Sequence, residues 1–333
     1  MNDRRDAVLQ GILEATRAHR SLKAQGKHVA AGGRIDVFAS IIDAGAELIF
    51  RKLDGLVGAY LPVPYPGILV TTERPLAIQR YTAAHELGHF FMKHRGSLDD
   101  EEIISRSTSL PPKYGVNEIA ADAFASEFLV PEWLVNYHAE RQSWSGADLR
   151  EPPVVYQLSL RVGASYEATC HILERHQILS KSSVASLLSV ERKKIKQYLL
   201  GPYSLSNWHP NVWLLTERDE GSVICGEPND VFIVRLHEHT GSGYVWNLDQ
   251  VEKAGFSVVS DNRDPTDDTE QIGAGVERVL TAQSSEGSTG TLEFMESRPW
   301  DTSDSFGHLS FAFDFRGREF GMPRAARERL LAG

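Results

Sequence analysis

The stretch Tyr81-Thr-Ala-Ala-His-Glu-Leu-Gly-His-Phe-Phe-Met-Lys-His94 is the most informative part of the 333-residue sequence for the fold and the site. Helical residues four apart lie one above the other, so His85 and His89 can direct both imidazole rings at one point. Zinc accepts neutral imidazole nitrogens in tetrahedral geometry, and a catalytic site leaves one position for water. Glu86 follows the first histidine directly, so its carboxylate can remove a proton from that water. The stretch therefore predicts a helix that carries one catalytic zinc ion.

A third protein ligand has to separate a metal site from an ordinary amphipathic helix, because the HExxH spacing also arises by chance. His94 is one candidate. The metzincin pattern, however, requires a glycine and a histidine at the two positions where Met92 and Arg95 stand. His94 is more simply explained as a surface histidine whose partial charge suits the dipole at a helix C-terminus.

The better candidate for the third ligand is Glu118, in Asn117-Glu-Ile-Ala-Ala-Asp-Ala-Phe-Ala-Ser-Glu-Phe-Leu-Val-Pro131. This stretch predicts a second helix, with Asn117 as its cap and small alanines that permit close approach to another helix. Asp122 follows Glu118 by one turn on the same face, where it can accept a hydrogen bond from a ligating histidine. Two solvated acids are the alternative interpretation, which the upstream HExxH motif disfavours.

These two motifs, in this order, resemble the two signatures of ImmA/IrrE-type zinc metallopeptidases. The resemblance extends upstream through Arg34-Ile-Asp-Val-Phe38 and downstream to the helical segment that ends near Leu200. It implies that His85, His89 and Glu118 bind one zinc ion and that Glu86 is catalytic. It also implies a cytoplasmic endopeptidase with one protein substrate, such as a helix-turn-helix repressor of the XRE type, whose cleavage regulates transcription under stress.

The loop between the two metal-binding helices, from Arg95 to Val116, is long for a compact domain and can border a substrate cleft. Tyr114 in this loop is a candidate stabiliser of the oxyanion. A plain solvated loop with a packing tyrosine is the alternative interpretation.

The chain divides by sequence texture into three predicted domains, at residues 1–140, 141–206 and 207–333. The first alternates helical and strand-like patterns, which predicts mixed α/β structure. The resemblance to ImmA/IrrE-type peptidases implies that this is a zincin-like peptidase domain. The second is helical and has the pattern of a helix-turn-helix around Gly163-Ala164, an element that follows the peptidase core in ImmA/IrrE proteins. The third has short runs rich in Val, Ile and aromatic residues, typical of an immunoglobulin-like antiparallel β-sandwich. The predicted fold class is therefore multidomain α+β.

Three short motifs in the third predicted domain resemble the loops of chagasin-like inhibitors, which are immunoglobulin-like β-sandwiches that block papain-type cysteine peptidases. The candidate partner-binding residues in these loops are Gly243, Tyr244, Trp246, Gly273, Gly275, Arg298, Pro299 and Trp300. The first loop departs from the family pattern, because the stretch from His239 to Trp246 lacks Asn-Pro and the paired threonines. The aromatic side chains can also serve as sandwich core. The alternative function is therefore a protein that binds a peptide or inhibits a cysteine peptidase.

Charge and composition disfavour several other classes of protein. Acidic residues outnumber basic residues by 45 to 35, and the net charge of -10 opposes binding to nucleic acid or to anionic membranes. The N-terminal pattern predicts neither a signal peptide nor a membrane helix. Cys170 and Cys225, the two cysteines, imply no disulfide framework. The expected location is the cytoplasm.

Overall fold

The computed structural model describes residues 2–30, 33–95, 97–100, 115–265, 275–284 and 287–332. The chain forms two compact units, each made of separate segments. Unit 1 comprises residues 1–138, 158–188 and 318–333, and unit 2 comprises residues 139–157 and 189–317. These units divide the chain differently from the three domains that the sequence predicts, since part of the helical segment and the last residues belong to unit 1.

Unit 1 contains a four-stranded mixed sheet in the order β1-β3-β2-β4. Its strands are β1 (Glu47–Arg51), β2 (Leu56–Leu61), β3 (Gly67–Thr71) and β4 (Ser97–Asp100). Strand β3 runs parallel to β1 and antiparallel to β2, and β2 pairs antiparallel with β4. Alternate residues of β1, Leu48 and Phe50, are buried, as expected for a strand with one face against the core.

The described residues before residue 143 form six helices, and two of these helices carry the predicted metal ligands. They are α1 (Asn2–Ser21), α2 (Ala24–Ala30), α3 (Val37–Asp43), α4 (Leu76–Phe91), α5 (Val116–Leu129) and α6 (Glu132–Gln142). Helix α5 packs against both α1 and α4. A side chain at Gly11 of α1 would collide with the backbone of Ala120 in α5, so these helices approach closely at small residues. The predicted mixed α/β domain is confirmed.

Four helices follow in the segment that the sequence predicts to be helical. They are α7 (Pro152–Val162), α8 (Tyr166–Arg175), α9 (Lys181–Leu188) and α10 (Arg192–Leu200). Gly163 has a φ of +70° at the turn after α7, and the Ser165 side chain accepts a hydrogen bond from the Ala168 N–H at 3.1 Å to cap α8. The Arg80 guanidinium of α4 donates to the Val162 carbonyl, which ties this turn to the HExxH helix. None of the described helices has the length and apolar content needed to cross a bilayer.

The chain returns to unit 1 after the β-sandwich. Phe50 of β1 and Gly321 exchange two backbone hydrogen bonds, of 2.7 and 2.8 Å. The buried Gln79 side chain of α4 accepts from the Glu319 N–H at 2.8 Å and donates to the Glu319 carbonyl at 3.1 Å. The final helix, α12 (Arg324–Ala332), contacts α3. The last residues of the predicted third domain therefore pack with unit 1.

Unit 2 contains two four-stranded sheets, in the orders β5-β7-β10-β9 and β6-β12-β11-β8. The strands are β5 (Val212–Leu215), β6 (Val223–Cys225), β7 (Val231–Glu238), β8 (Val245–Asn247), β9 (Phe256–Pro265), β10 (Val276–Ser284), β11 (Thr289–Arg298) and β12 (Asp301–Asp314), with a short helix α11 (Asp249–Lys253) after β8. Phe256 of the first sheet contacts Phe313 of the second, with ring centroids 5.0 Å apart. The predicted sandwich is confirmed, although the pairs β5–β7 and β6–β12 are parallel.

Candidate metal centre

Helices α4 and α5 bring three ligating side chains to one point. His85 Nε2 lies 3.1 Å from His89 Nε2, and Glu118 Oε2 lies 3.2 Å from the former and 3.4 Å from the latter. Three ligand atoms on one tetrahedral zinc ion, each about 2.0–2.1 Å from it, are about 3.3–3.4 Å from one another. The triangle therefore has the dimensions of one face of a zinc site. Within the described residues, this is the one group of His, Cys, Asp and Glu that could hold a metal ion.

The surroundings of Glu118 favour its deprotonated form. His85 and Glu86 are fully buried, His89 nearly so, and the Glu118 side chain is 22% exposed. Burial opposes ionisation of Glu118, but hydrogen bonds from His85 and His89 outweigh it and hold the pKa of this carboxyl below its usual value. Glu118 is therefore in the charged form that metal binding requires.

Asp122 and Tyr81 support the first histidine. His85 Nδ1 lies 2.9 Å from Asp122 Oδ1, which is the contact that the sequence predicts for this carboxylate. The Tyr81 hydroxyl donates to the same oxygen at 2.9 Å. Burial and the Asp122 carboxylate raise the pKa of Tyr81 well above its usual value, so the hydroxyl stays a donor. Tyr81 was not among the predicted site residues, although its position four residues before His85 places both on one helix face.

His94 is not the isolated surface histidine that the sequence suggests. Its Nδ1 lies 2.9 Å from His89 Nδ1, and the two ring centroids are 5.0 Å apart. Burial, followed by the nearby His89 ring, lowers the pKa of His94 to about 4, so the ring is neutral near pH 7. His94 therefore contacts the His89 nitrogen that does not face Glu118.

Gly58 of β2 lies directly against the predicted general base. A Cβ added at this glycine would come within 2.9 Å of Glu86 Oε1 and would also collide with the Thr82 side chain. Glycine therefore lets the strand pass over the Glu86 carboxylate. A glycine inside a strand pattern signals close backbone approach but does not name the partner, which is why the sequence did not point to Gly58.

The candidate oxyanion stabiliser Tyr114 and the candidate loop residue Gly273 lie outside the described residues.

The candidate partner-binding loops of unit 2 are joined by an aromatic and ionic cluster. The Arg298 guanidinium lies 4.5 Å from the centroid of the Tyr244 ring. The Tyr244 hydroxyl donates to Asp304 Oδ2 at 2.7 Å, and Arg298 pairs with the same oxygen at 3.1 Å. Gly243 has a φ of +79°, and a Cβ there would come within 2.7 Å of the Trp300 ring. The first and third candidate loops are therefore in contact.

The aromatic candidates differ in exposure. Tyr244 and Trp246 are buried, as the core interpretation predicts, whereas Trp300 is 74% exposed. Pro299 and Trp246 line a cleft of about 570 Å³. Gly275 precedes β10 and lies against the His237 ring. Trp300 is thus the large apolar side chain that these candidates present to solvent.

Two protein families match the chain. The IrrE N-terminal-like domain, Peptidase M78, matches residues 43–174, a range that contains both metal-binding motifs. The chagasin family of peptidase inhibitors, I42, matches residues 227–314. The chain therefore contains an IrrE-like metallopeptidase domain followed by a chagasin-like domain, and both resemblances are confirmed.

Solved structures that match parts of the chain include the cysteine protease inhibitor EhICP2 from Entamoeba histolytica. Its identity is 21% over 33% of this chain and 100% of that chain, with a TM-score of 0.30. Amebosin shares 18% identity over 32% of this chain and 98% of its own, with a TM-score of 0.27. PbICP-C, in complex with falcipain-2, shares 11% identity over 33% of this chain and 94% of its own, with a TM-score of 0.21. No curated protein matches the chain.

Proposed function

We propose that the chain is a zinc-dependent endopeptidase in which His85, His89 and Glu118 hold the metal and Glu86 is the general base. The observation that carries the proposal is the triangle of ligand atoms with sides of 3.1, 3.2 and 3.4 Å, next to a buried glutamate. The match of this region to IrrE-like peptidases supports it. When bound, zinc would lower the pKa of a water molecule and polarise the scissile carbonyl.

The proton transfers belong to Glu86. Its carboxylate takes the proton of the attacking water and delivers it to the leaving amine, as a general base that becomes a general acid. Gly58 leaves room for this carboxylate beneath β2. Asp122 and Tyr81 keep the His85 ring in the orientation that directs Nε2 toward His89 and Glu118, which together would hold the metal.

The proposed substrate is a protein, and a helix-turn-helix repressor of the XRE type is the candidate that the resemblance to ImmA/IrrE-type peptidases implies. A metal centre with one general base distinguishes little among peptide bonds, so selectivity has to come from cleft shape and accessory surfaces. The chagasin-like domain is the proposed accessory surface for recognition or regulation.

Metal content and two variants test the chemistry. We expect one zinc ion per purified chain, its loss in His85→Ala, and its retention in Glu86→Gln without proteolysis. A wild-type chain that takes up no zinc would refute the site. A Glu86→Gln variant that cleaves protein as fast as the wild type would refute the role of the base.

A substrate trap tests the specificity. The Glu86→Gln variant should retain its protein target during purification from the native host, and the His85→Ala variant serves as the control without metal. The retained protein should be cut at one site by the wild type and left intact by Glu86→Gln. Cleavage at many sites by the wild type would contradict a specific endopeptidase.

A second candidate function is binding of a papain-type cysteine peptidase by the chagasin-like domain. The exposed Trp300 beside the Arg298–Tyr244 cluster favours it, because aromatic and Arg side chains are enriched where interfaces are tightest. Inhibition of papain by the full chain, weakened in Trp300→Ala, would support this function. Undiminished papain activity at micromolar concentrations of the chain would refute it.

A further inference from the structure

His94 is brought to the metal centre by the way in which α4 ends. The Lys93 backbone has a φ of +55°, so the chain reverses immediately after the helix. The His94 N–H then donates to the His89 carbonyl at 3.0 Å, and the Lys93 N–H donates to the Phe90 carbonyl at 3.1 Å. This pair of hydrogen bonds is the Schellman motif of helix C-termini. It returns the His94 side chain to the ring of His89.

The two nitrogens of the His89 ring have different surroundings. Nε2 faces His85 Nε2 at 3.1 Å and Glu118 Oε2 at 3.4 Å, which are the other members of the candidate zinc triangle. Nδ1 faces His94 Nδ1 at 2.9 Å. A neutral imidazole that binds a metal through Nε2 carries its proton on Nδ1 and needs an acceptor for it. In this geometry that acceptor is His94.

We propose that His94 Nδ1 accepts a hydrogen bond from the Nδ1–H of His89 and thereby fixes the tautomer and orientation in which His89 Nε2 would meet the metal. His94 is then a positioning residue that contacts a ligand and leaves the metal to His85, His89 and Glu118. The inference rests on the zinc site proposed above. His94 would thus accept a hydrogen bond from His89 as Asp122 does from His85, whose Nδ1 lies 2.9 Å from the Asp122 carboxylate.

Removal of the acceptor should weaken zinc binding. Loss of an outer hydrogen-bond partner of a metal ligand typically reduces metal affinity about 10- to 100-fold. The His94→Phe variant keeps an aromatic ring but has no acceptor, so we expect a loss in that range. The His94→Asn variant places an amide oxygen close to the position of the imidazole Nδ1, so its affinity should stay within about threefold of the wild type.

The measurement is a competition titration of the full-length chain with zinc and a chromophoric chelator, at constant pH. The apo proteins are compared by thermal unfolding, because a merely structural role of His94 would lower the apo melting temperature and would not be rescued by asparagine. His209→Phe, at an exposed histidine of unit 2, is the control and should bind zinc as the wild type does. If His94→Phe unfolds, His94→Ala replaces it, since it removes the acceptor without adding volume.

The possible results separate this inference from the proposed function. Weak binding by His94→Phe with recovery in His94→Asn supports the inference. Wild-type zinc affinity in His94→Phe overturns the inference and leaves the proposed zinc site unaffected. An equal loss of affinity in both variants also overturns the inference, because it would indicate that the His94 ring acts through packing. A wild-type chain that binds no zinc overturns the inference together with the proposed function.

Discussion

The buried side chain of Gln79 links the HExxH helix to two distant parts of unit 1, and its removal gives a quantitative test of that link. Its amide donates to the Thr71 carbonyl at 2.9 Å and to the Glu319 carbonyl at 3.1 Å, and it accepts from the Glu319 N–H at 2.8 Å. Gln79→Leu keeps the approximate volume but removes all three hydrogen bonds. A buried polar group that loses its hydrogen-bond partner costs about 1–3 kcal/mol. In this variant the Glu319 N–H loses its acceptor, and a buried N–H rarely finds another one. We therefore expect a loss of about 3 kcal/mol.

The assay is urea unfolding monitored by hydrogen exchange in peptides of α4. Because α4 lies in unit 1, this signal reports the unfolding of unit 1. With a slope of about 1–3 kcal/mol per molar urea, the expected loss lowers the midpoint by about 1–3 M. Gln10→Leu, on the exposed side of α1, is the control and should stay within about 0.5 kcal/mol of the wild type. A Gln79→Leu midpoint equal to that of Gln10→Leu would refute the reasoning.

A chain that ends at Gly317 adds a second test of the same contact. It lacks Glu319, so Gln79→Leu should cost clearly less in this background than in the full chain. Equal costs in both backgrounds would mean that the Gln79–Glu319 hydrogen bonds contribute little.

Three further predictions concern the metal, the general base and unit 2. Chelation of zinc should destabilise unit 1 by about 2.7 kcal/mol relative to protein at a free zinc concentration 100-fold above Kd, with recovery on zinc addition, as melting curves would measure. Gly58→Ala should retain zinc but lose about 100-fold in kcat by displacing Glu86, whereas Gly26→Ala, which meets no neighbour, should leave kcat unchanged in a peptide-cleavage assay. Lys196→Met removes the donor to three carbonyls and should destabilise unit 2 by about 1–3 kcal/mol in urea unfolding, with the exposed Lys194→Met as the neutral control.

The sequence was sufficient where the relevant geometry is local to a helix. His85 and His89 are one turn apart, and so are Glu118 and Asp122, so helical periodicity alone placed each pair on one face. The convergence of the two pairs was predicted from the small alanines of the second helix, which permit close approach, and from the resemblance of both motifs to one family. The Ser165 cap of α8 obeys a local rule of the same kind.

Where the chain leaves regular structure, the same reasoning failed. Extrapolation of α4 as a helix directs a residue five positions after His89 away from it, whereas the left-handed backbone of Lys93 turns His94 back onto the ring. A lysine in that conformation has no reliable sequence signal. The bridge between Phe50 and Gly321 joins positions far apart in sequence, and nothing in the spacing of either segment indicates its partner.

Residues 318–333 follow the sandwich in the sequence but belong to unit 1, so the sandwich cannot be removed by truncation without also removing part of unit 1. A chain cut before β5 loses Glu319 as well as the sandwich, and with Glu319 it loses two of the hydrogen bonds that hold Gln79 of the HExxH helix. Reduced zinc binding or proteolysis in such a chain would follow from damage to unit 1 and would not assign a regulatory role to the chagasin-like domain. Trp300→Ala leaves the C-terminal segment in place, because Trp300 is exposed and lies outside unit 1. If proteolysis of the trapped substrate falls in Trp300→Ala while zinc affinity and the stability of α4 stay unchanged, the loops of the sandwich take part in substrate recognition. If proteolysis is unchanged, the proposed accessory role of these loops is refuted and the peptidase unit selects its substrate without them.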